Sequence, residues 1–220
     1  EEIDYDPSAI LIYIHTNNNT DDTPKIFEEW VALNKDNYAD IVYINDHYPE
    51  LKGKGVRHTE SDWYADGGIR LKILGDIRNK SLQHSVEAGC DFYFCCDVDT
   101  FFPPQTIRYL VKQDRPIIGP MMVQNSGNVP NSFFCPVSES GYYESSPLDQ
   151  MIFSKKIEGV IKVPLLHVCY MVRCNEVSKG LTYATEGIKM EFVTFADSAR
   201  QSGVPQYVTN EVQGLMDPIL

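Results

Sequence analysis

The chain contains no GxGxxG and no GxxxxGK(S/T), so neither a dinucleotide-binding glycine turn nor a P-loop is available to cradle phosphates on backbone N–H groups. No basic run interrupts its 220 residues, in which 31 acidic side chains outnumber 19 basic ones for a formal charge of −12. Without clustered cations to neutralise phosphates, nucleic-acid binding is excluded as a principal role. No stretch approaches the ~18 apolar residues of a membrane span, and no signal sequence is visible. The chain opens on Glu1-Glu2-Ile3 without an initiator Met, so it is expected to be part of a longer protein. Six cysteines include no CxxC pair, which removes the usual zinc pattern and favours reduced thiols. Adjacent Cys95 and Cys96 read as small buried hydrophobes on opposite faces of a strand.

What is present alternates strands and helices. Ala9 to His15 is a β-branched apolar run expected to form a buried first strand, with Thr16 to Asp22 as a polar turn. A helix is expected from Thr23-Pro24, with an apolar stripe at Ile26, Phe27, Trp30, Val31 and Leu33. A second strand over Ala39 to Ile44 runs into Asn45-Asp46-His47-Tyr48, which either contacts a base or ribose or only reverses the chain as an Asx turn. Flexible connections around Trp63 precede a helix over Ile69 to Ala88, stopped by Gly89. Further on, a helix after Pro103-Pro104, a strand over Pro116 to Met122, one or two strands within Gly159 to Arg173, a helix carrying Phe192, Phe195 and Ala199, and a strand over Gln206 to Val208 are expected. The rhythm predicts an α/β fold with a mostly parallel central sheet flanked by helices. Length allows one compact domain. Between Val123 and Ser146 a long Gly-, Ser-, Asn- and Pro-rich segment carries Phe133, Phe134, Tyr142 and Tyr143; loops of that length tend to be functional or disordered, and the aromatics, whose faces suit sugar or base rings, argue for function.

The chemistry concentrates in Asp91 to Thr100 (DFYFCCDVDT), an apolar strand ending in two carboxylates one residue apart. In an extended strand Asp97 and Asp99 share a face with Cα atoms ~7 Å apart, close enough for one divalent cation between them. Mg²⁺ or Mn²⁺ offered two carboxylates completes its shell with water or substrate phosphates, so the implied ligand is a metal-held diphosphate. The bland alternative is a solvated strand end. Arg78, in the helix ahead of this strand, is a candidate phosphate partner; His167 is the most suggestive histidine, although lone histidines in apolar runs usually belong to the core. Glu191 and Asp197 lie near the last helix and either can face a cleft, with a solvated helix face as the plain reading of Asp197.

Laid out this way, the chain resembles nucleotide-sugar glycosyltransferases of the GT-A fold, and among them the procollagen galactosyltransferases and the glycosyltransferase domain of multifunctional lysyl hydroxylase. The resemblance is carried, in order, by Arg78-Asn79-Lys80-Ser81-Leu82, Asp91 to Asp99, Arg115 to Met121 (RPIIGPM), Asn131-Ser132-Phe133-Phe134-Cys135, Gly141-Tyr142-Tyr143, Val163-Pro164-Leu165-Leu166-His167 and Gly203 to Asn210 (GVPQYVTN). It implies a single GT-A-like domain over 1–220, with a nucleotide-sugar half (1–122) and an acceptor-side half (123–220) that includes a small antiparallel part. It implies a Mn²⁺- or Mg²⁺-dependent enzyme moving a hexose from UDP-glucose or UDP-galactose to a hydroxyl of hydroxylysine, a collagen-like protein or a glycoprotein glycan. Donor contacts are assigned on this basis to Thr16, Asn45, Asp46, Arg78, Asp97 and Val98, and acceptor contacts to Tyr142, Tyr143 and His167.

Two departures from the family pattern stand out. Where some members have a metal-binding His after the late Asn, this chain has Asn210-Glu211-Val212-Gln213, which makes Glu211 and Gln213 the candidates for a third metal ligand beside Asp97 and Asp99. The family's acidic pair is reduced to Met190-Glu191, so Glu191, or else Asp149, is the candidate catalytic base. The alternatives are a haloacid-dehalogenase-like phosphatase, on the strength of Asp97-Val98-Asp99-Thr100, and a domain that binds sugar nucleotides or glycans without turnover. The compartment follows the owner of the chain: the endoplasmic reticulum lumen for an animal collagen-modifying enzyme, the host cytoplasm for a viral one.

Overall fold

A computed structural model describes residues 3–51, 68–124, 132–142, 144, 146–184 and 189–216; Trp63 and Tyr143 lie outside them. Asp6 caps a turn of 3-10 helix, Pro7–Ala9, so the first strand starts two residues later than its apolar run. β1 (Leu11–Asn17) and β2 (Asp40–Asp46) pair in parallel from Leu11 opposite Asp40 to Asn17 opposite Asp46. Thr16, expected in a turn, therefore belongs to a strand end, and Asn45 and Asp46 form the carboxyl end of β2 and not an Asx turn beyond it. Between the strands, α1 (Thr23–Asn34) lays Phe27 near Tyr43, ring centroids 5.8 Å apart. Ile26 and Leu33 do not share that seam, being 62% and 81% exposed. At ~100° per residue they share one side of the helix, about 100–160° round from Phe27 and Val31.

α2 (Ile69–Glu87) buries Leu71, Ile73, Ile77 and Leu82 and stops where Gly89 takes a φ of +73°, as its glycine predicts. After it comes the central sheet, in the order β3 (Phe92–Cys96), β9 (Cys169–Arg173), β5 (Ile117–Gln124), β10 (Gln206–Met216), with β4 (Thr100–Phe101) and β7 (Val160–Val163) both on the far edge of β10. β5 and β10 are parallel, whereas β3–β9, β5–β9, β10–β4 and β10–β7 are antiparallel. The sheet is thus mixed where a mostly parallel one was expected. A parallel neighbour needs a crossover of roughly a dozen residues or more, but β9 is entered at the carboxyl end of β3, two residues after β8 (Leu165–Leu166), and runs straight back. The segment expected to hold one or two strands holds three. Pro164, which has no N–H for a ladder, divides β7 from β8, and Val168 at φ +68° divides β8 from β9.

β6 (Phe133–Phe134) pairs with β8 as a separate antiparallel sheet, the small antiparallel part that was expected. Helices α3 (Thr106–Gln113), α4 (Pro147–Phe153), α5 (Cys174–Val177) and α6 (Glu191–Gln201) complete the set of described elements. α6 seats Phe195 on Tyr183 and Tyr170 at 4.4 and 5.5 Å between centroids, joining the helix to the main core. Strands from both sides of residue 122 alternate in the sheet. β10 is far longer than the three residues expected because a bulge at Asn210–Val212 shifts its register against β5 and lets pairing resume from Gln213.

Candidate functional site

β3 delivers the two aspartates to the carboxyl end of the sheet. The Asp97 N–H donates to the Val168 carbonyl at 3.2 Å, extending the ladder by one residue. The chain then turns: the Asp97 carbonyl accepts the Thr100 N–H at 3.1 Å and the Thr100 hydroxyl at 2.6 Å. Thr100 and Phe101 pair with Met216 and Leu215 of β10. Asp97-Val98-Asp99 is therefore a turn spanning the sheet end from the β3 side to the β10 edge, and not the extended continuation of β3 that placed both carboxylates on one face. Val98, at its tip, is 85% exposed.

Arg78 reaches this turn from α2 with a side chain only 11% exposed. One terminal nitrogen donates to Asp97 Oδ1 at 2.7 Å and the other to Cys95 Sγ at 3.0 Å, while Nε lies 3.4 Å from Glu191 Oε1. The guanidinium also sits 5.9 Å from the Tyr183 ring centroid. Three residues assigned to separate roles from the sequence, Arg78, Asp97 and Glu191, thus form one cluster. Burial pushes the Glu191 carboxyl up, opposed chiefly by Arg78. Asp97 is likewise raised by burial, with Arg78 lowering it and Asp99 raising it. Arg78 itself is held protonated, its burial outweighed by the surrounding acidic groups. Such a group, buried with charged partners at a sheet end, is where function concentrates in α/β proteins. Cys95 and Tyr183 were not anticipated; Cys95 was legible as a buried strand residue but not as an acceptor for Arg78, and nothing in the sequence pointed to Tyr183.

A second polar cluster closes the carboxyl ends of β1 and β2. Thr16 Oγ1 and Asn19 are hydrogen-bonded, and Asn19 Nδ2 donates to Asn45 Oδ1 at 3.2 Å. Asp46 Oδ2 accepts from Tyr48 at 3.0 Å and from His15 Nε2 at 3.1 Å. These bonds hold the Asp46 carboxyl below its usual range, Tyr48 first and His15 after it, whereas burial and then Asp46 push the Tyr48 phenol up to about 12. Lys80 of α2 acts on both His15 and Asp46. Arg78, two positions along and on the other side of that helix, serves the aspartate turn.

The remaining candidates are scattered. Tyr142 accepts the Met190 N–H at 3.0 Å and packs on the cluster of Leu165, Val193 and Ala196. His167 is 8% exposed, stacked on Phe192 and close to Phe134, and burial, then Arg78, lower its pKa to about 4. Asp149, 3% exposed, stands at the start of α4, where Ser146 both caps Leu148 N–H and reaches Asp149 Oδ1 at 3.4 Å. Glu211 accepts a hydrogen bond from the Tyr109 phenol, and Gln213 is exposed opposite Met121. Among the described residues no three His, Cys, Asp or Glu side chains converge on one metal position.

Comparison with known proteins places the chain among the glycosyltransferases. It belongs to glycosyltransferase family 25, whose N-terminal-domain model matches residues 1–218. It is 26% identical to human procollagen galactosyltransferase 2 over 219 residues and 23% identical to a Drosophila melanogaster glycosyltransferase 25 family member over 230. It is also 24% identical over 220 residues to a human protein named inactive glycosyltransferase 25 family member 3. Each alignment takes in 96% of this chain but only 34–36% of the relative, so the chain spans about a third of their length. Among solved structures, apo UDP-glucose pyrophosphorylase aligns with 93% of this chain and 74% of its own at 11% identity and a TM-score of 0.45, too distant a likeness to carry an argument. Family membership replaces the phosphatase reading of the aspartate turn.

Proposed function

We propose that this domain binds a UDP-hexose, UDP-glucose or UDP-galactose, through Mn²⁺ or Mg²⁺ at Asp97 and Asp99, and serves transfer of the hexose to a hydroxyl on hydroxylysine, a collagen-like protein or a glycoprotein glycan. The observation that carries the reading is the buried Arg78 holding one oxygen of Asp97 at the sheet end. With Arg78 on Oδ1, no hydrogen bond among the described residues reaches Asp97 Oδ2, and two carboxylates, those of Asp97 and Glu191, face one guanidinium. That donor set fits a hard divalent cation that fills its other positions with water and diphosphate oxygens. When bound, the cation supplies Lewis-acid stabilisation of the charge that grows on the departing diphosphate. Arg78 orients Asp97 and adds fixed positive charge beside the phosphates. Thr16, Asn45 and Asp46, at neighbouring strand ends, hold the nucleoside. Glu191 is read here as the residue that positions Arg78, since its carboxylate is spent on the guanidinium.

The test is thermal stabilisation by a panel of UDP- and GDP-sugars with and without Mn²⁺. Stabilisation by one UDP-hexose that requires Mn²⁺ and disappears in Asp99→Ala is expected; stabilisation that survives the substitution overturns the reading. A second reading, donor binding without turnover, is favoured by the relative named inactive and by the engaged Glu191. Release of UDP in the presence of hydroxylysine peptides separates the two, because only a transferase gives it.

A further inference from the structure

Cys96 and Cys169 face each other directly across the antiparallel β3–β9 pair. The hydrogen bonds of that pair fix which kind of position this is. Asp97 donates to Val168 and Cys174 donates to Asp91, so every second opposed pair, at the odd-numbered residues of β3, exchanges backbone bonds. Cys96–Cys169 falls between, at a non-hydrogen-bonded position, where opposed Cα atoms are ~4.5 Å apart and side chains stand closest. A disulfide needs Cα atoms roughly 4.4–6.8 Å apart with Cβ atoms facing, so the backbone here already meets its requirement. Cys95, one residue earlier, points to the other face and is taken by Arg78. Cys169 is fully buried, whereas Cys96 is the member that reaches the surface.

We propose that Cys96 and Cys169 are a cross-strand redox pair that closes to a disulfide when the protein meets a low-molecular-weight disulfide. The Cys96 thiolate attacks one sulfur of that reagent, whose S–S bond breaks and releases one small thiolate. The Cys169 thiolate then displaces the second small thiol from the mixed disulfide, and the two cysteine protons end on the two small thiols. The product is a covalent staple one residue before Asp97, at the root of the aspartate turn. It makes a site for oxidative modification independent of the transferase reading.

The experiment is prolonged incubation of the full chain with oxidised glutathione at pH 8.5, alkylation of residual thiols, and mass spectrometry of unreduced peptides. A Cys96–Cys169 cross-link is expected, absent in Cys96→Ser and kept in Cys95→Ser, with an upward shift in Tm that reducing agent reverses. Two results overturn the proposal: alkylation of both thiols throughout, or a glutathione adduct that persists on Cys96 while Cys169 remains alkylatable after the protein is unfolded. Since the wild-type cross-link is read directly, failure of any variant to fold does not blunt the test.

Discussion

Replacing Arg78 with Met keeps most of the side-chain length and removes the charge that Asp97 and Glu191 share. Glu191 is the more costly orphan, because its side chain is 4% exposed against 37% for Asp97, which solvent screens. Removing one partner of a buried ion pair costs about 3–5 kcal/mol, since the charge left behind has no other compensation. At about 2–4 °C per kcal/mol for a chain of this size, the expected fall in Tm is on the order of 10 °C. The double variant Arg78→Met with Glu191→Met removes both charges and is expected to regain about 2 kcal/mol or more over the sum of the single losses, the non-additivity expected of contacting residues. pH gives an independent check. In the single variant the Glu191 carboxyl, already raised by burial, loses its cation and rises further. A carboxyl raised above its unfolded value destabilises the fold at high pH and stops doing so once both states are protonated, so the deficit shrinks as pH falls from 7 toward the ordinary value of 4.5. Urea midpoints for the four proteins at pH 7 and pH 5 measure all of this. Strictly additive losses, or a deficit that does not change with pH, would refute the view that the buried Glu191 carboxylate depends on the Arg78 charge.

His167 supplies a pH dependence of opposite origin. With a pKa of about 4 in the fold against an ordinary 6.5, it takes up its proton first in the unfolded chain, so stability drains as pH falls from 6.5 to 4 and no further. The span corresponds to about 3 kcal/mol, and denaturation midpoints of His167→Phe should lack that part of the acid loss while wild type shows it. Asn210, 1% exposed, donates to the carbonyls of Ile152 and Ile157 at 2.7 and 2.8 Å and accepts the Gly159 N–H at 3.0 Å. Asn210→Ala takes this partner from the Ile157 carbonyl and the Gly159 N–H, at about 1–3 kcal/mol for each that water cannot reach, while the Ile152 carbonyl keeps the Lys155 N–H at 3.2 Å. A loss of at least 2 kcal/mol by urea denaturation is expected, and a change under 0.5 kcal/mol would show that Asn210 does not hold the bulge.

The elements were legible where one local rule acted alone. Gly89 stops α2 because only a residue tolerant of positive φ ends a helix that way, and the short, continuously apolar and aromatic run of β3 suits a buried strand. Legibility failed where a partner decides the outcome. β10 extends beyond Val208 through residues that look like a loop, because Asn210, within the bulge, is tied by its side chain to Ile152, Ile157 and Gly159 ahead of β7, and β5 stands ready to pair again at Gln213. Strand direction is likewise a property of the connection, so the mixed sheet could not be read from patterns of strand and helix alone.

The same division governs the site. Asp97 and Asp99 announced themselves by spacing, and their place at the carboxyl end of a strand followed from the apolar run before them. Their shape did not follow, because the turn is closed by Thr100 and drawn toward β10, which enters the chain more than a hundred residues later. Arg78 and Glu191 were visible as charged residues in or near helical segments, Arg78 with a solvated face as its plain alternative. Only the packing of α6 against α2 turns them inward and toward each other. This has a physical consequence for any account of the chemistry: a carboxylate that neutralises a buried guanidinium is not free to take a proton from an acceptor unless Arg78 first moves. The reduced acidic pair in the sequence and the ion pair in the fold therefore bear on one question, whether the cluster is built to bind or to turn over. A donor that displaces Arg78 from Glu191 would favour turnover, and one that leaves the pair intact would favour binding alone.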